Sequence, residues 1–322
     1  MLWPVSALFG AATAARRTLY RIGWWRSTTL PVPVVVVGNL IAGGAGKTPT
    51  VMAVVQLLRR RGFTPGIVSR GHGRIDTGCA LVHRDTPAAA CGDEPLLLHL
   101  RTAAPVSVGR DRVAAARLLL DRHPQVDVLV SDDGLQHLAL ARCAQVLVFD
   151  ARGVGNGWLL PAGPLRERLP RQVPPRTVVL YNAPAPSTPL PGALAQGRLS
   201  GLAALDAWWR GEPASAAALQ VLSGASPVVA AAGLAHPERF FTMLRQAGLA
   251  IRPLPLPDHH DYTTLPWPAD TRDVVLTEKD AVKLDPAAMG STRVWVATLD
   301  FEPEAAFGAA LLALLPPPAN DD

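Results

Sequence analysis

Lysine is almost missing from this chain. Against 28 arginines there are three lysines, Lys47, Lys279 and Lys283, so arginine fills nearly every place where positive charge alone is wanted. Each lysine then marks a position that calls for a compact ammonium on a flexible stem. Cysteine is as scarce. Cys79, Cys91 and Cys143 are odd in number and show no CxxC spacing, which excludes a disulfide framework and a cysteine-held zinc and suits a reducing, cytosolic setting. Glycine at 27 and proline at 31 of 322 residues fall far short of a collagen-like repeat, and no internal repeat points to a solenoid. What remains is globular. Apolar residues at 49% and charged ones at 18% exclude intrinsic disorder, and the length gives room for about two domains.

Acids are absent before Asp76, so Arg16, Arg17, Arg21 and Arg26 leave the front of the chain strongly basic. Trp3, Phe9, Tyr20, Trp24 and Trp25 lie among them. Arginine mixed with aromatics is the composition of a segment lying in a membrane interface; a helix packed on its own domain is the other reading. A span is not expected, because only 14 uncharged residues run from Leu2 to Ala15 where a bilayer needs about 20. A secretory signal is excluded too, since its positive charges precede the apolar stretch and here they follow it. Beyond residue 33 the charges nearly cancel, which speaks against a nucleic-acid partner.

Apolar runs then alternate with helical patterns. Val34-Val35-Val36-Val37 is a β-branched run with no polar face, as expected of a parallel strand buried on both sides. A glycine-rich turn and a helix over 48–61 follow. Further strands are predicted at 66–69, 126–131, 145–150 and 177–181, which gives βαβ units with right-handed crossovers. Pro184, Pro186, Pro189 and Pro191 crowd one stretch, so a linker is placed at 183–197. Strands at 227–232, 273–277 and 293–298, with helices at 236–247 and 304–315, make a second unit. The expected organisation is an interface segment at 1–33, an α/β domain at 34–182, and a second, smaller α/β domain at 183–322.

The turn reads Gly43-Gly44-Ala45-Gly46-Lys47-Thr48-Pro49. After a buried strand and before a helix, this is the context of a phosphate-binding loop. Backbone N–H groups close around phosphate oxygens, Lys47 reaches the β and γ phosphates, and the Thr48 hydroxyl holds Mg²⁺. The strict GxxxxGK[ST] spacing fails by one residue, because position 41 is Ile41; GGxGKT loops do the same work. Asp132-Asp133-Gly134 ends the strand predicted at 126–131, as acids that hold a nucleotide's metal do. Two adjacent buried carboxylates repel unless a cation lies beside them.

Transfer to an alcohol needs a base. Asp93 or Glu94, in Gly92-Asp93-Glu94-Pro95, can take a hydroxyl proton or merely cap the helix that follows. Asp258-His259-His260-Asp261 reads equally as a metal cluster, a base pair or a polar loop. Glu278, Lys279, Asp280 and Lys283 are a candidate site or an ordinary charged helix start.

Together with Ser69-Arg70-Gly71-His72-Gly73, Gln136-His137, Gly155-Asn156-Gly157, Leu160-Pro161-Ala162-Gly163-Pro164-Leu165-Arg166-Glu167, Ala232-Gly233-Leu234-Ala235-His236-Pro237 and Arg239-Phe240-Phe241, these motifs resemble, in order along most of the chain, the tetraacyldisaccharide 4'-kinase family. The family's SRGYG has His72 for its tyrosine here. The resemblance implies a P-loop NTPase-type parallel sheet flanked by helices, and ATP-dependent phosphorylation of the 4'-hydroxyl of an acylated glucosamine disaccharide 1-phosphate. That reaction gives lipid IVA at the cytoplasmic face of the bacterial inner membrane, a lipid surface on which the chain is peripheral or monotopic. It also implies Asp93 as base with His259 as its dyad partner, and Lys47 acting on phosphate. Gly43, Gly44, Ala45, Gly46, Lys47, Thr48, Glu278 and Lys279 would meet ATP; Thr48, Asp132 and Asp133 would meet Mg²⁺; Arg70, Arg110, Arg112, Gln136, Arg166 and Glu167 would meet the acceptor or the transferred phosphoryl. The alternative of another class is a membrane-tethered P-loop switch that transfers phosphate only to water. Ala42 stands where a deviant-loop switch carries lysine, and Lys279 lies one place late for a guanine-reading motif.

Overall fold

Proline is tolerated in a first helical turn, where its missing N–H would be unpaired anyway, and Pro4 opens a 19-residue helix, α1 (Trp3–Arg21). The computed structural model describes residues 2–74, 76–223 and 227–318. The valine run forms β1 (Val34–Gly38), buried at every position. Its side chains divide between two cores, Val35 and Val37 in one and Val34 and Val36 in the other, as strand alternation requires. The chain continues through α2 (Lys47–Arg60), β2 (Pro65–Ser69), β3 (Ala80–Val82), α3 (Ala88–Cys91), α4 (Asp93–Thr102), β4 (Val106–Val108), α5 (Arg112–Arg122), β5 (Val128–Asp132), β6 (Ala144–Asp150) and β7 (Thr177–Asn182). Then come β8 (Ala193–Ala204), α6 (Leu205–Arg210), α7 (Ala216–Ser223), β9 (Val228–Ala232), α8 (Pro237–Gln246), β10 (Ile251–Pro255), β11 (Asp273–Thr277), α9 (Glu278–Ala281), β12 (Arg293–Pro303) and α10 (Ala305–Leu312).

All of these strands join one sheet in the order β10-β9-β11-β12-β8-β7-β6-β1-β5-β2-β4-β3. From β7 to β4 neighbours are parallel, with β3 an antiparallel edge. The parallel set places the ends of β1, β2, β5, β6 and β7 on one side, where a doubly wound sheet opens its binding crevice. A second parallel set, β10-β9-β11-β12, joins through a long antiparallel ladder of β12 with β8, irregular between Thr298 and Leu299. β8 is parallel to β7, so the second set runs opposite to the first. Because β8 runs on past its pairing with β7 before it meets the first half of β12, the ends of the two sets face each other, and side chains beyond β11 reach the start of α4.

The predicted elements differ mainly at their ends. Residues 193–197, read as linker, are strand: the prolines stop at Pro191, and the following stretch pairs with β12. The same pairing draws β12 out to Pro303. β5 starts at Val128 because the Val126 N–H closes a turn on His123 O at 3.0 Å.

Candidate active site

Two glycines shape the loop between β1 and α2. Gly43 and Gly46 have φ of +90° and +85°, in the left-handed region that side chains resist. A Cβ on Gly46 would stand 2.1 Å from Asn182 Nδ2, whereas one on Gly44 would meet nothing within 4 Å. The loop is therefore pressed against the end of β7 on one side and open on the other. Its carbonyls are taken by protein donors: Asn39 Nδ2 donates to Gly43 O at 3.2 Å, and Arg152 Nη2 to Gly44 O at 2.6 Å. No side chain caps α2 at Gly46, and Pro49 has no N–H to give, so the amides of Lys47 and Thr48 open a positive helix end suited to an anion.

Lys47 Nζ donates to Asn39 Oδ1 at 3.3 Å and lies 3.6 Å from Asp133 Oδ1. The acids at the end of β5 thus come beside the loop lysine, although 85 residues separate Lys47 from Asp132. Asp132 is buried and accepts from Ser69 Oγ at 2.9 Å, while its Oδ1 has no partner among the described residues. Burial, then the charges of Glu94 and Asp133, push the Asp132 carboxyl well above the ordinary carboxylate range. Asp133 has φ +47° and takes both its oxygens to Arg166 Nη1, at 3.0 and 3.1 Å. Burial works against its charge, but Lys47 and Arg166 outweigh it and hold the carboxyl low. Gln136 joins the group, donating to Asn39 O at 3.3 Å and accepting from Arg166 Nη1 at 3.4 Å.

The donor set fits Mg²⁺. Among the described residues no three His, Cys, Asp or Glu side chains form an all-protein metal site, and Mg²⁺ is ordinarily held by one or two carboxylates plus substrate phosphates. The unpartnered Asp132 oxygen, an acid beside it and the Thr48 hydroxyl on the loop are what such an ion requires.

The base candidate lies at the first position of α4. Asp93 Oδ1 accepts from the Glu94 N–H at 2.9 Å, and Oδ2 meets His259 Nδ1 at 2.9 Å. One oxygen thus meets the amide of the next residue in the first turn of α4 and the other meets the imidazole. Burial alone would raise the Asp93 carboxyl. The His259 hydrogen bond and the Lys279 and Lys283 ammoniums bring it down to about 2 instead. His259, at φ +60°, is raised chiefly by its bond to Asp93. Its neighbours in the polar run do something else: His260 Nδ1 accepts from the Tyr262 N–H at 3.1 Å, and Asp261 Oδ1 accepts from the Thr263 N–H at 3.0 Å, which makes them turn braces.

The other predicted residues spread out. Lys279 Nζ lies 3.2 Å from Glu94 and 3.4 Å from His259 Nε2, inside the site. Glu278 is turned away, bonded to Arg101 and accepting from Trp208 Nε1 at 2.9 Å, which fastens α9 to α4. Arg112 is buried at the start of α5 with Nη1 on Gly109 O at 2.9 Å. Arg70 and Arg110 line a cleft of about 220 Å³ with His72 and Arg74, and the His72 ring lies 5.5 Å from that of His259. Glu167 pairs with Arg17 of α1 at 2.7 Å, so its carboxylate is engaged by the N-terminal helix.

The model of the family described as tetraacyldisaccharide-1-P 4'-kinase matches residues 1–316. The chain belongs to this family. It is 59% identical to a tetraacyldisaccharide 4'-kinase of Methylibium petroleiphilum, covering 98% of this chain and 89% of that one, and 57% identical to one from Leptothrix cholodnii, covering 98% and 91%. Its fold is similar to that of the "apo" form of LpxK from Aquifex aeolicus, solved in complex with ATP, with a TM-score of 0.80 and 26% identity over 98% of both chains.

In this kinase three residues at the loop escaped sequence reasoning. Asp150, fully buried, receives Arg152 Nε at 2.9 Å and lies 3.7 Å from Arg239. Arg152 carries that anchor on to Gly44 O and to His236 Nε2 at 3.1 Å. Asn182 packs on Gly46. An acid and an amide at the ends of two buried strands were the available signal, but only the fold brings them to the loop.

Proposed function

We infer that the kinase transfers the γ-phosphoryl of ATP to the 4'-hydroxyl of a tetraacylated glucosamine disaccharide 1-phosphate, with Asp93 as the base. The observation that carries this is the Asp93–His259 pair at the start of α4 together with the Lys47–Asp133–Arg166 cluster at the loop, linked through Glu94, which adjoins Asp93 and whose charge acts on Asp132. Asp93 accepts the proton of the acceptor hydroxyl as its oxygen bonds to phosphorus and the bond to the β-phosphate oxygen breaks. A carboxyl near 2 is a weak base, but it stays ionised, and a loose phosphoryl-transfer transition state asks for a positioned acceptor more than a strong one. His259 orients Asp93 and keeps its charge. Lys47 and the amides at the start of α2 hold phosphate, and Arg166 and Gln136 fix Asp133. Thr48, Asp132 and Asp133 would hold Mg²⁺, which neutralises charge on the phosphate oxygens when bound. Arg110, on the open cleft with Arg70, is better exposed to an incoming anion than Arg112. Residues 34–182 and 183–322 serve as two lobes joined by the pairing of β7 with β8.

The acceptor is a lipid, and the surface of α1 suits it. Ser6 is buried, its Oγ donating to Leu159 O at 2.8 Å, while Leu8 and Trp24 are 71% and 79% exposed, with Trp3, Val5 and Ile22 also open. Exposed Trp158, one residue from that anchor, extends the apolar face. Among the described residues no helix is long and apolar enough to cross a membrane. An apolar helix flank with arginines beside it lies in the interface of an anionic bilayer, here the cytoplasmic face of the inner membrane.

The test is Asp93→Asn with radiolabelled ATP, the disaccharide 1-phosphate and a water-only control. ATP affinity should stay within about twofold, and lipid phosphorylation should fall at least about 10²-fold, the ordinary worth of a general base. Near-normal product would remove Asp93 from the role, and label released equally without the lipid would favour hydrolysis.

A further inference from the structure

The third lysine has no part in phosphate binding as described, and its setting is unusual. The Lys283 side chain is 9% exposed, and its Nζ makes no hydrogen bond among the described residues. It stands 3.6 Å from Asp93 Oδ2 and 3.6 Å from Asp280 Oδ1, over the Tyr262 ring at 5.6 Å from the centroid. Asp280 is itself fixed. Fully buried, it accepts from the Gly233 N–H at 3.2 Å and from Thr277 Oγ1 at 2.7 Å. Tyr262 sits at φ +56°, a backbone conformation that persists only where surroundings impose it. The ammonium is thus held on an anchored acid and an aromatic face, and its remaining side meets the base.

We propose that Lys283 is a positioning residue for phosphoryl transfer: clamped on Asp280 and Tyr262, its ammonium fixes where the Asp93 carboxylate sits and how readily it takes the acceptor's proton. The inference rests on Asp93 being the base. A lysine suits the place because three donors on a compact head can be shared between two carboxylates, whereas a planar guanidinium needs a fork-shaped partner. A chain that writes arginine almost everywhere keeps lysine here. The groups facing Asp93 are His259 and Lys279 from one side, Lys283 from another, and Glu94 and Cys91 from its own neighbourhood; Asp280 and Tyr262 face Lys283, and Asp258 and His72 flank His259. Of the cations, Lys279 is shared with Glu94 and Asp258, so Lys283 is the one whose other partner is anchored in the core.

The experiment compares pH–rate profiles of kcat/KM for the full-length wild type, Lys283→Met, Lys283→Arg and the double variant Lys283→Met with Asp280→Asn, with Asp93→Asn as control. Lys283→Met should move the acidic limb of the profile upward by about one pH unit and lower kcat about tenfold or more, with KM for ATP within twofold. Lys283→Arg should keep the limb in place while losing part of kcat. The double variant removes both buried charges, so it should recover the melting temperature of the wild type and still show the displaced limb. A double variant that folds and titrates like the wild type overturns the inference, as does a Lys283→Met profile with an unmoved limb. An active Asp93→Asn enzyme would instead overturn the base assignment, which separates the two failures.

Discussion

Replacing Gly46 by alanine tests the loop on which nucleotide binding depends, and the structure sets its cost in two parts. The residue has φ +85°, where an L side chain loses about 1–2 kcal/mol. The new methyl would also stand 2.1 Å from Asn182 Nδ2 and 2.9 Å from its Cγ. Asn182 must rotate away or the loop must lift off β7, and overpacking of this kind costs about 1–3 kcal/mol. The sum is about 2–5 kcal/mol, read by urea unfolding. Because Gly46 also sets the direction of the Lys47 and Thr48 amides, ATP affinity by calorimetry should fall about tenfold or more, an effect of about 1.4 kcal/mol. The two parts separate in Gly46→Ala with Asn182→Ala, which should recover the packing cost and retain the backbone cost. Unfolding free energy within about 0.5 kcal/mol of wild type, a change typical of featureless surface sites, together with unchanged ATP affinity, would refute the loop geometry. A double variant no better than the single would refute Asn182 as the obstacle.

Two further outcomes follow from the dyad and the first helix. Asp93 is lowered from 3.8 to about 2, so its contribution to stability is present above about pH 4 and is lost as pH falls through the folded value; that shift is worth on the order of 2 kcal/mol. His259 is raised, so its contribution is present below its unfolded value of about 6.5 and is lost as pH rises through the folded one. The difference in unfolding free energy between wild type and His259→Gln should therefore be largest between about pH 4 and 6.5; a difference independent of pH would contradict the pairing. Changing Trp3, Leu8 and Trp24 to serine should weaken flotation with anionic liposomes while leaving ATP affinity within twofold, and undiminished flotation would place the lipid contact elsewhere.

The loop and its helix were legible because their signals are local. A valine run with no polar face, glycines at the turn and one of only three lysines lie within 14 residues, and each constrains the backbone where it stands. The carboxylates at 132 and 133 were readable for the same reason, as acids at the end of a hydrophobic run. The dyad was not readable from its own residues. Asp93 and His259 lie 166 positions apart, and each had an adequate local use, as a cap and as part of a polar loop; only the resemblance to a family joined them. Arg152 shows the limit more sharply. It reaches Gly44 across 108 positions through a buried acid that reads, in sequence, as the last residue of a strand. Glu278 drew attention as part of a charged motif, yet its carboxylate is occupied by Arg101 and Trp208, because a helix packed on another helix turns some of its charges inward.

The meeting of α9 with α4 bears on why this charge cluster exists. Asp93 and Glu94 come from the first parallel set, while His259, Lys279, Lys283 and Asp280 come from the second, and Arg101 with Glu278 ties the two helices a few residues further on. Replacing a buried ion pair by well-packed apolar groups is often neutral or stabilising, so folding alone gives little reason to gather so many charges at one contact. Of the non-glycine residues in the left-handed region, His259 meets Asp93 and Tyr262 lies under Lys283, and strain of that kind persists only where the surroundings impose it. On the proposed reading, a base held by residues of both strand sets exists only when the two sets are packed together. Proton acceptance would then depend on the contact between α4 and α9, and a transferase that must pass its phosphoryl group to an alcohol and not to water gains from such a condition.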